Sequence, residues 1–415
     1  MKEILSKIRT KKVNVLVIGL GYVGFPLLEL AIKKKINCYG LDINKELIKK
    51  IKKDLKKKNF FKKILFYDYE KVDFFKIDII IIALPTPLKN NKPDLSFIKN
   101  CVNKFFLKIK KNTIIILEST SYPSTTEEII VKRFIKKYDI GTNIFIGYSP
   151  ERVDPGNRKY NIENTPKLVS GYTLNCRNLI YEFYKKICNQ VLIASSIQVA
   201  EMTKIYENIF RSVNIGLANE TKILCEKIKI NFREVINLAS SKPFGFIPFY
   251  PGPGVGGHCI PVDPTYLSWY AKKKNLKTDF IKIAARINSG MPKKIASRIC
   301  NILKKNNILK MNKILILGLS YKKNIQDIRN SPALEIFSIL NKKKFNISFN
   351  DKFVKEIIVN KKKYYSEDLN NLKKFKSIIM LTDHDYYKKI NFIKYKPTLI
   401  DTRFFFSNTK KVYSL

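Results

Sequence analysis

The sequence predicts an α/β protein made of two Rossmann-like, doubly wound parallel-sheet domains joined by a long central helix. Three observations predict it. Short continuous apolar runs alternate with helical stretches at both ends of the 415-residue chain, the pattern of strands buried on both faces of a parallel sheet. The first of these runs ends in a glycine-rich turn that opens a helix. Between the two α/β regions, residues 198–229 contain no proline and one glycine.

The elements follow in order. Val13–Ile18 is an apolar run ending in glycine and reads as a buried strand. A helix is expected from about Tyr22 to Lys35, then a strand, Ile36–Leu41, that ends at Asp42. Ile77–Leu84, Thr113–Leu117 and Asn143–Gly147 are further buried strands. From about Ser196 to Ile230, Val199, Met202, Ile205, Ile209 and Val213 recur at helical spacing. This is expected to be one long helix, with more helix through about Ser240; it either links two domains and carries a dimer interface or is a core helix within one domain. Lys242–Pro264 is a Gly/Pro-rich loop of a length that is usually functional. The last hundred residues echo the first, with strands at Lys313–Leu317, Asn346–Phe349, Ser377–Thr382 and Thr398–Asp401. The expected domains are 1–197, 198–300 and 301–415.

Composition excludes several classes. No apolar run reaches the roughly 18 residues of a membrane span, and the start carries no signal-peptide pattern. Seven scattered cysteines form neither CxxC pairs nor zinc spacing, so a reducing, cytoplasmic setting without disulfides is expected and no metal site is. The net charge of +45 comes from 79 Lys and Arg against 34 Asp and Glu. It is spread along the chain and accompanied by abundant Asn, Ile, Phe and Tyr, the composition of an AT-rich genome. No specific nucleic-acid partner is inferred, although the field would draw in an anionic substrate.

Gly19-Leu20-Gly21-Tyr22-Val23-Gly24 is a GxGxxG turn after a strand and before a helix. Gly19 permits the tight turn, Gly21 admits the pyrophosphate, and Gly24 allows close helix–strand packing. The helix N-terminus offers N–H groups to the anion. Asp42 sits where a ribose-binding acid is expected and would repel a 2′-phosphate, which favours NAD over NADP.

In the loop, Gly256-Gly257-His258-Cys259-Ile260-Pro261-Val262-Asp263 sets a thiol among small residues, with a carboxylate four positions on. His258 either assists the thiol or packs. Lys204 and Asn208 stand i, i+4 on the long helix, and Arg211 continues their stripe. A lysine and an amide side by side can stabilise an oxyanion. A solvated helix face is the plainer alternative. His384 reads as a loop residue.

Taken together, GLGYVG (19–24), ALPTPL (83–88), ESTSYPSTT (118–126), YSPERVDPGN (148–157), AEMTKIYEN (200–208), GPGVGGHCIPVDP (252–264) and GLSYKKNIQDIRNSPA (318–333) resemble the UDP-glucose/GDP-mannose dehydrogenase family, in the family's order and over nearly the whole chain. The resemblance implies an N-terminal NAD domain, a central dimerising segment and a C-terminal UDP-binding domain, assembled as a homodimer or higher oligomer. It makes Cys259 the nucleophile, Lys204 and Asn208 the oxyanion pair, and Asp263 the acid that orients water. Thr120 and Glu151 line the catalytic site. It places Gly19, Gly21, Tyr22, Val23, Gly24, Asp42, Pro85, Thr86 and Thr120 at the cofactor. Glu151, Arg152, Lys204, Asn208, Arg211, Phe249, Tyr250, Gly252, Gly256, Lys322 and Arg329 fall at the UDP-sugar.

The implied chemistry is two NAD-dependent oxidations at C6 of the sugar, through a thiohemiacetal and a thioester on Cys259, ending in hydrolysis to the uronate. One position departs from the UDP-glucose branch, which typically has Lys where this chain has Val262. The segment looks like the branch that acts on UDP-N-acetylhexosamines. UDP-N-acetylglucosamine 6-dehydrogenation for surface polysaccharide synthesis is therefore the expectation. UDP-N-acetylgalactosamine, UDP-N-acetylmannosamine or UDP-glucose are the alternative substrates. A catalytically silent nucleotide-sugar-binding remnant is the alternative of a different class.

Overall fold

The computed structural model describes residues 1–58, 60, 64–154, 156–157, 159–394, 396–406 and 412–415, with the side chains of Ile64 and Cys259 also outside the description. The chain packs as two units: 1–207 with 269–274, and 208–268 with 275–415. The segment 198–300, expected as a helical part of its own, is shared between them.

In the first unit, isoleucine- and valine-rich runs form an eight-stranded sheet. The strands are β1 (Asn14–Ile18), β2 (Asn37–Leu41), β3 (Ile64–Phe66), β4 (Ile79–Ile82), β5 (Thr113–Leu117), β6 (Ile144–Tyr148), β7 (Lys167–Gly171) and β8 (Val191–Ile193). Their order is β8-β7-β6-β5-β4-β1-β2-β3. Leu16 of β1 faces Tyr39 on one side and Ile80 on the other. Every pairing is parallel except β6 with β7. All four residues of β4 and all five of β5 are buried, which is why these strands read as unbroken apolar runs rather than alternating ones. The basic start of the chain forms a helix, Lys2–Arg9, that buries Ile4 and Ile8.

The second unit repeats the idea with β9 (Ile314–Leu317), β10 (Ile347–Asn350), β11 (Ser377–Met380), β12 (Thr398–Asp401) and β13 (Val412–Ser414). These run parallel in the order β10-β9-β11-β12-β13. Alternate side chains serve opposite faces. Ile314 and Ile316 join Ile295, Ile299 and Leu303 of the helix Asp279–Lys305, and Ile336, Phe337 and Leu340 of the helix Pro332–Lys342. Leu315 and Leu317 join Ile378, Met380 and Tyr387 on the other face.

The long helix spans Ile197–Lys227, and the following helix Phe232–Ala239 starts from the Asn231 cap, whose side chain accepts from Arg233 and Glu234. The loop after Lys242 ends earlier than expected, because a helix, Cys259–Lys273, begins at the thiol itself. Pro261 lies in its first turn, where the missing N–H has no intrahelical partner to lose. Among the described residues, no helix is long and apolar enough to cross a membrane.

Candidate active site

In the first unit the expected cofactor residues converge at the carboxyl edge of the sheet. Gly19 follows β1 at φ +90°, and a Cβ there would lie 2.5 Å from the Ala83 carbonyl oxygen. A Cβ on Gly24 would lie 1.8 Å from the Gly19 carbonyl oxygen, whereas one on Gly21 would meet nothing within 4 Å. The first and third glycines therefore close the turn, and the second leaves room for a pyrophosphate to approach backbone. Val23 precedes the helix Gly24–Lys33, and Tyr22 is exposed. Asp42, just after β2, accepts from the Leu20 N–H at 2.9 Å and the Asn44 N–H at 2.8 Å. A carboxylate has about four acceptor sites, so it braces the turn with capacity left for a ribose diol. Pro85 is exposed and Thr86 buried in the segment after β4, and Thr120 stands partly buried after β5. These residues fit NAD.

Glu151 follows β6. Its Oε1 accepts from the N–H groups of Arg152 and Val153, each at 2.8 Å, and its Oε2 accepts from Lys167 Nζ at 3.3 Å. Burial pushes this carboxyl up, but Lys167, the two N–H groups and Lys204 together hold it below its ordinary value. Lys204 is partly buried on the long helix. Arg152 does structural work: it pairs with Glu207 at 2.6 Å and donates to the Pro166 carbonyl at 3.0 Å.

Sequence reasoning missed two buried acids here. One is Glu118, whose cluster with Lys167 is treated below. The other is Glu201, inside AEMTKIYEN. Its carboxylate accepts from the Ser124 N–H at 2.6 Å, the Thr126 N–H at 2.9 Å and the Thr126 hydroxyl at 2.7 Å. It thus ties the loop that carries Thr120 to the helix that carries Lys204. Burial pushes Glu201 up to about 7, against these hydrogen bonds. A folded value above the unfolded one stabilises at low pH and loses that contribution as pH rises through the folded value. Between about pH 4.5 and 7 the loss is expected to be roughly 3 kcal/mol. Thermal melts should show the wild type losing ground to Glu201→Gln across that window. Parallel pH curves for the two proteins would refute it.

In the second unit, Asn208 Nδ2 donates to Asp263 Oδ2 at 2.5 Å, and both residues are buried. The two residues expected to handle the oxyanion and the water are therefore in direct contact. Cys259 opens the helix that carries Asp263; its side chain lies outside the described residues. His258 is partly buried, and its Nε2 has no hydrogen-bond partner among the described residues. Burial, together with the Arg329 guanidinium, pushes its imidazole down despite Asp327.

The thiol loop is strapped to the DIRNSP segment. The Gly257 N–H donates to the Arg329 carbonyl and Asn330 Nδ2 to the Gly257 carbonyl, each at 3.0 Å. Gly257 is at φ +82°, and a Cβ on Gly256 would lie 2.6 Å from Tyr321 Cβ. Arg329 is itself oriented by Asp327, at 2.7 Å. Upstream, a chain of buried amides fixes the backbone: Asn288 Nδ2 donates to the Ser212 carbonyl, Asn219 Nδ2 to Asn288 Oδ1, and the Gly252 N–H to Asn219 Oδ1. Neither asparagine was singled out in the sequence. Nor was Arg403, whose Nη1 would lie 2.6 Å from a Cβ on Gly252. Phe249 packs edge-on against Phe210 at 5.7 Å. Tyr250 and Arg211 are exposed.

Lys322 sits in a turn held by Asp351 and His384. Asp351 Oδ2 accepts from the Leu319 and Ser320 N–H groups, and His384 Nδ1 accepts from the Asn324 N–H at 2.9 Å. His384, read from sequence as a loop residue, is fully buried against Asp351 at 3.0 Å. The Gly318–Leu319–Asp351 arrangement repeats Gly19–Leu20–Asp42, each with the glycine N–H bonded to the end of the neighbouring strand.

Comparison with known proteins bears on this geometry. Three family models match the chain: the NAD binding domain of the UDP-glucose/GDP-mannose dehydrogenase family at 13–188, its central domain at 198–290, and its UDP binding domain at 315–414. The chain belongs to the UDP-glucose/GDP-mannose dehydrogenase family. It is an enzyme of the NAD-dependent UDP-sugar dehydrogenases, with NAD as its cofactor. The protein CapL of Staphylococcus aureus is 37% identical over 377 residues, 88% of each chain. A UDP-N-acetyl-D-glucosamine 6-dehydrogenase of Pseudomonas aeruginosa is 34% identical over 342 residues, 79% of each. The solved UDP-D-ManNAc dehydrogenase of Pyrococcus horikoshii superposes with TM-score 0.86 at 28% identity, over 97% of this chain and 99% of that one.

Proposed function

We propose that the enzyme oxidises the C6 hydroxymethyl of UDP-N-acetylglucosamine to the carboxylate, in two steps on one site, with Cys259 as the covalent thiol. The observation that carries this reading is the Asn208–Asp263 pair at 2.5 Å, with Lys204 one helical turn before Asn208 and Val262 next to Asp263. The Gly19–Gly24 turn and Asp42 would hold NAD⁺, which would supply the hydride acceptor for each oxidation. Cys259 adds to the C6 aldehyde as a thiohemiacetal, and the same carbon leaves the second oxidation as a thioester. Lys204 and Asn208 stabilise the charge that develops on the C6 oxygen. Asp263 and Glu151 orient the water that hydrolyses the thioester, and Thr120 lines the site. Per sugar, two hydrides go to two NAD⁺ and one water is consumed. The UDP moiety is held by the Gly252–Gly256 loop, Phe249, Tyr250, Lys322 and Arg329, with Arg152 and Arg211 at the periphery.

Val262 supports an N-acetylhexosamine rather than UDP-glucose: it is 7% exposed beside Asp263, where an apolar side chain lacks the charge of the UDP-glucose branch. The likeness to a UDP-D-ManNAc dehydrogenase favours UDP-N-acetylmannosamine as the second reading. Counting NADH on a panel of UDP-glucose and the UDP-N-acetylhexosamines decides. Two NADH per UDP-N-acetylglucosamine are expected; turnover confined to UDP-N-acetylmannosamine selects the second reading, and turnover confined to UDP-glucose removes both.

The reading includes a cytoplasmic homodimer feeding surface polysaccharide synthesis. Val199, Tyr206, Phe210, Leu217 and Leu224 are exposed along the long helix, an apolar stripe that suits a second copy. Sedimentation at micromolar concentration should give twice 48.3 kDa; a monomer would exclude the dimer.

A further inference from the structure

Lys167 opens β7 in the first unit with its side chain 3% exposed, a place where a lysine is found only when paired. Its Nζ lies 2.9 Å from Glu118 Oε1 and 3.3 Å from Glu151 Oε2, and 5.1 Å from the centre of the Tyr184 ring. Glu118, at the end of β5, also accepts from the Tyr184 hydroxyl. One buried cation thus faces two buried carboxylates, and the two are not treated alike. Glu151 receives two backbone N–H groups besides the lysine. Glu118 Oε2 has no hydrogen-bond partner among the described residues.

We propose that Lys167 is a positioning residue that holds Glu151 as an ionised carboxylate in a single orientation, with Glu118 as the second and less fully hydrogen-bonded carboxylate on the same cation. This rests on the reading of Glu151 as a residue of the catalytic site. Of the roughly four acceptor sites of a carboxylate, the three donors fill three. The remaining one gives Glu151 a single direction in which to accept a proton or align a water. The other groups around it act in the same sense or weakly. Lys204 on the long helix favours the ionised form. Arg152 is neutralised by Glu207. Tyr184 and Cys188 are both held protonated by burial. Burial, with Glu151 as a like-charged neighbour, pushes Glu118 up against the pull of Lys167, while Glu151 is held down. As pH falls, Glu118 is therefore neutral before Glu151 titrates.

The test is the acid limb of the kcat–pH profile, measured beside NAD affinity on the full-length enzyme. Lys167→Met removes the charge. Lys167→Gln removes it but keeps an N–H for Glu151, and serves if the methionine variant does not fold. Losing an opposite charge at this range should move the acid limb up by about one to three pH units, with NAD affinity unchanged. Lys167→Arg should return the limb towards the wild-type position. Glu118→Gln, which copies the form Glu118 reaches before Glu151 as pH falls, should leave the limb in place although it disturbs the same cluster. A folded, charge-free Lys167 variant with the wild-type limb overturns the proposal, and so does a limb that moves as far in Glu118→Gln. Glu151→Gln separates the two levels. Full turnover in that variant removes Glu151 from the catalytic site, whereas lost turnover beside an unmoved limb in Lys167→Gln refutes only the role of the lysine.

Discussion

Replacing Cys259 with serine is expected to lower kcat by on the order of 10⁴-fold or more. The reason is chemical rather than steric. A thiol is a few per cent ionised at neutral pH and strongly nucleophilic, while a hydroxyl must be deprotonated by a placed base. In the proposed mechanism the sulfur also carries the substrate through two states, a thiohemiacetal that gives up hydride and a thioester that water can still open. With serine, the first oxidation can at most come to equilibrium, at no more than one NADH per bound sugar. The change should leave NAD affinity alone, because the dinucleotide is expected at the glycine turn and Asp42, which the substitution does not alter. NAD titration and single-turnover NADH measurements on the same preparation check both halves. Continued formation of two NADH per sugar in Cys259→Ser would show that no covalent sulfur intermediate is needed.

How much of this was legible in the residues depends on what kind of signal each one leaves. The strands were readable because burial on both faces writes them as unbroken runs, as in Ile79–Ile82. The glycine turn was readable because its reasons are local: Gly24 sits 1.8 Å, in Cβ terms, from a carbonyl five residues back. The thiol loop was recognised, but its end was misplaced, since two prolines near Cys259 suggested continued loop, whereas Pro261 falls in the first turn, which tolerates proline, and Pro264 is carried inside the helix. The supporting polar residues were not legible. Lys167, Glu118 and Glu201 lie among ordinary charged residues in sequence and become exceptional only through burial. Asn219 and Asn288 meet across 69 residues, and Asp351 and His384 across 33. Such pairs have no spacing rule, because tertiary packing alone brings them together. The family and its cofactor were therefore readable from the motifs, while the means by which the motifs are held still had to come from the structure.

The same division between acting and holding makes Asp263 the most informative position after the thiol. Asp263→Asn keeps an oxygen that can accept from the Asn208 amide, so the buried contact at 2.5 Å in the wild type retains a partner and the site should stay assembled. What is lost is the negative charge that, in the proposed mechanism, orients the water and takes its proton. Removing a placed general base typically slows a step by about 10²–10⁴-fold. Here that step is thioester hydrolysis, which follows both oxidations. The variant is accordingly expected to release two NADH per active site in a rapid burst and then to turn over slowly, with the substrate acyl group accumulating on Cys259. Stopped-flow absorbance would count the burst, and intact-protein mass would show the adduct. A lost burst would place Asp263 before the second oxidation, as part of the machinery that forms the thioester. A wild-type steady state would remove it from the chemistry and leave it only as the partner of Asn208. Asp263→Ala discriminates further, because it strips the charge and also deprives the buried Asn208 amide of this acceptor. An unmet amide in a buried site costs about 1–3 kcal/mol, so the alanine variant should lose part of the burst as well, through a displaced Asn208 that no longer meets the oxyanion. Comparing the two variants thus separates the charge of Asp263, read in the slow phase, from its hold on Asn208, read in the amplitude of the fast one.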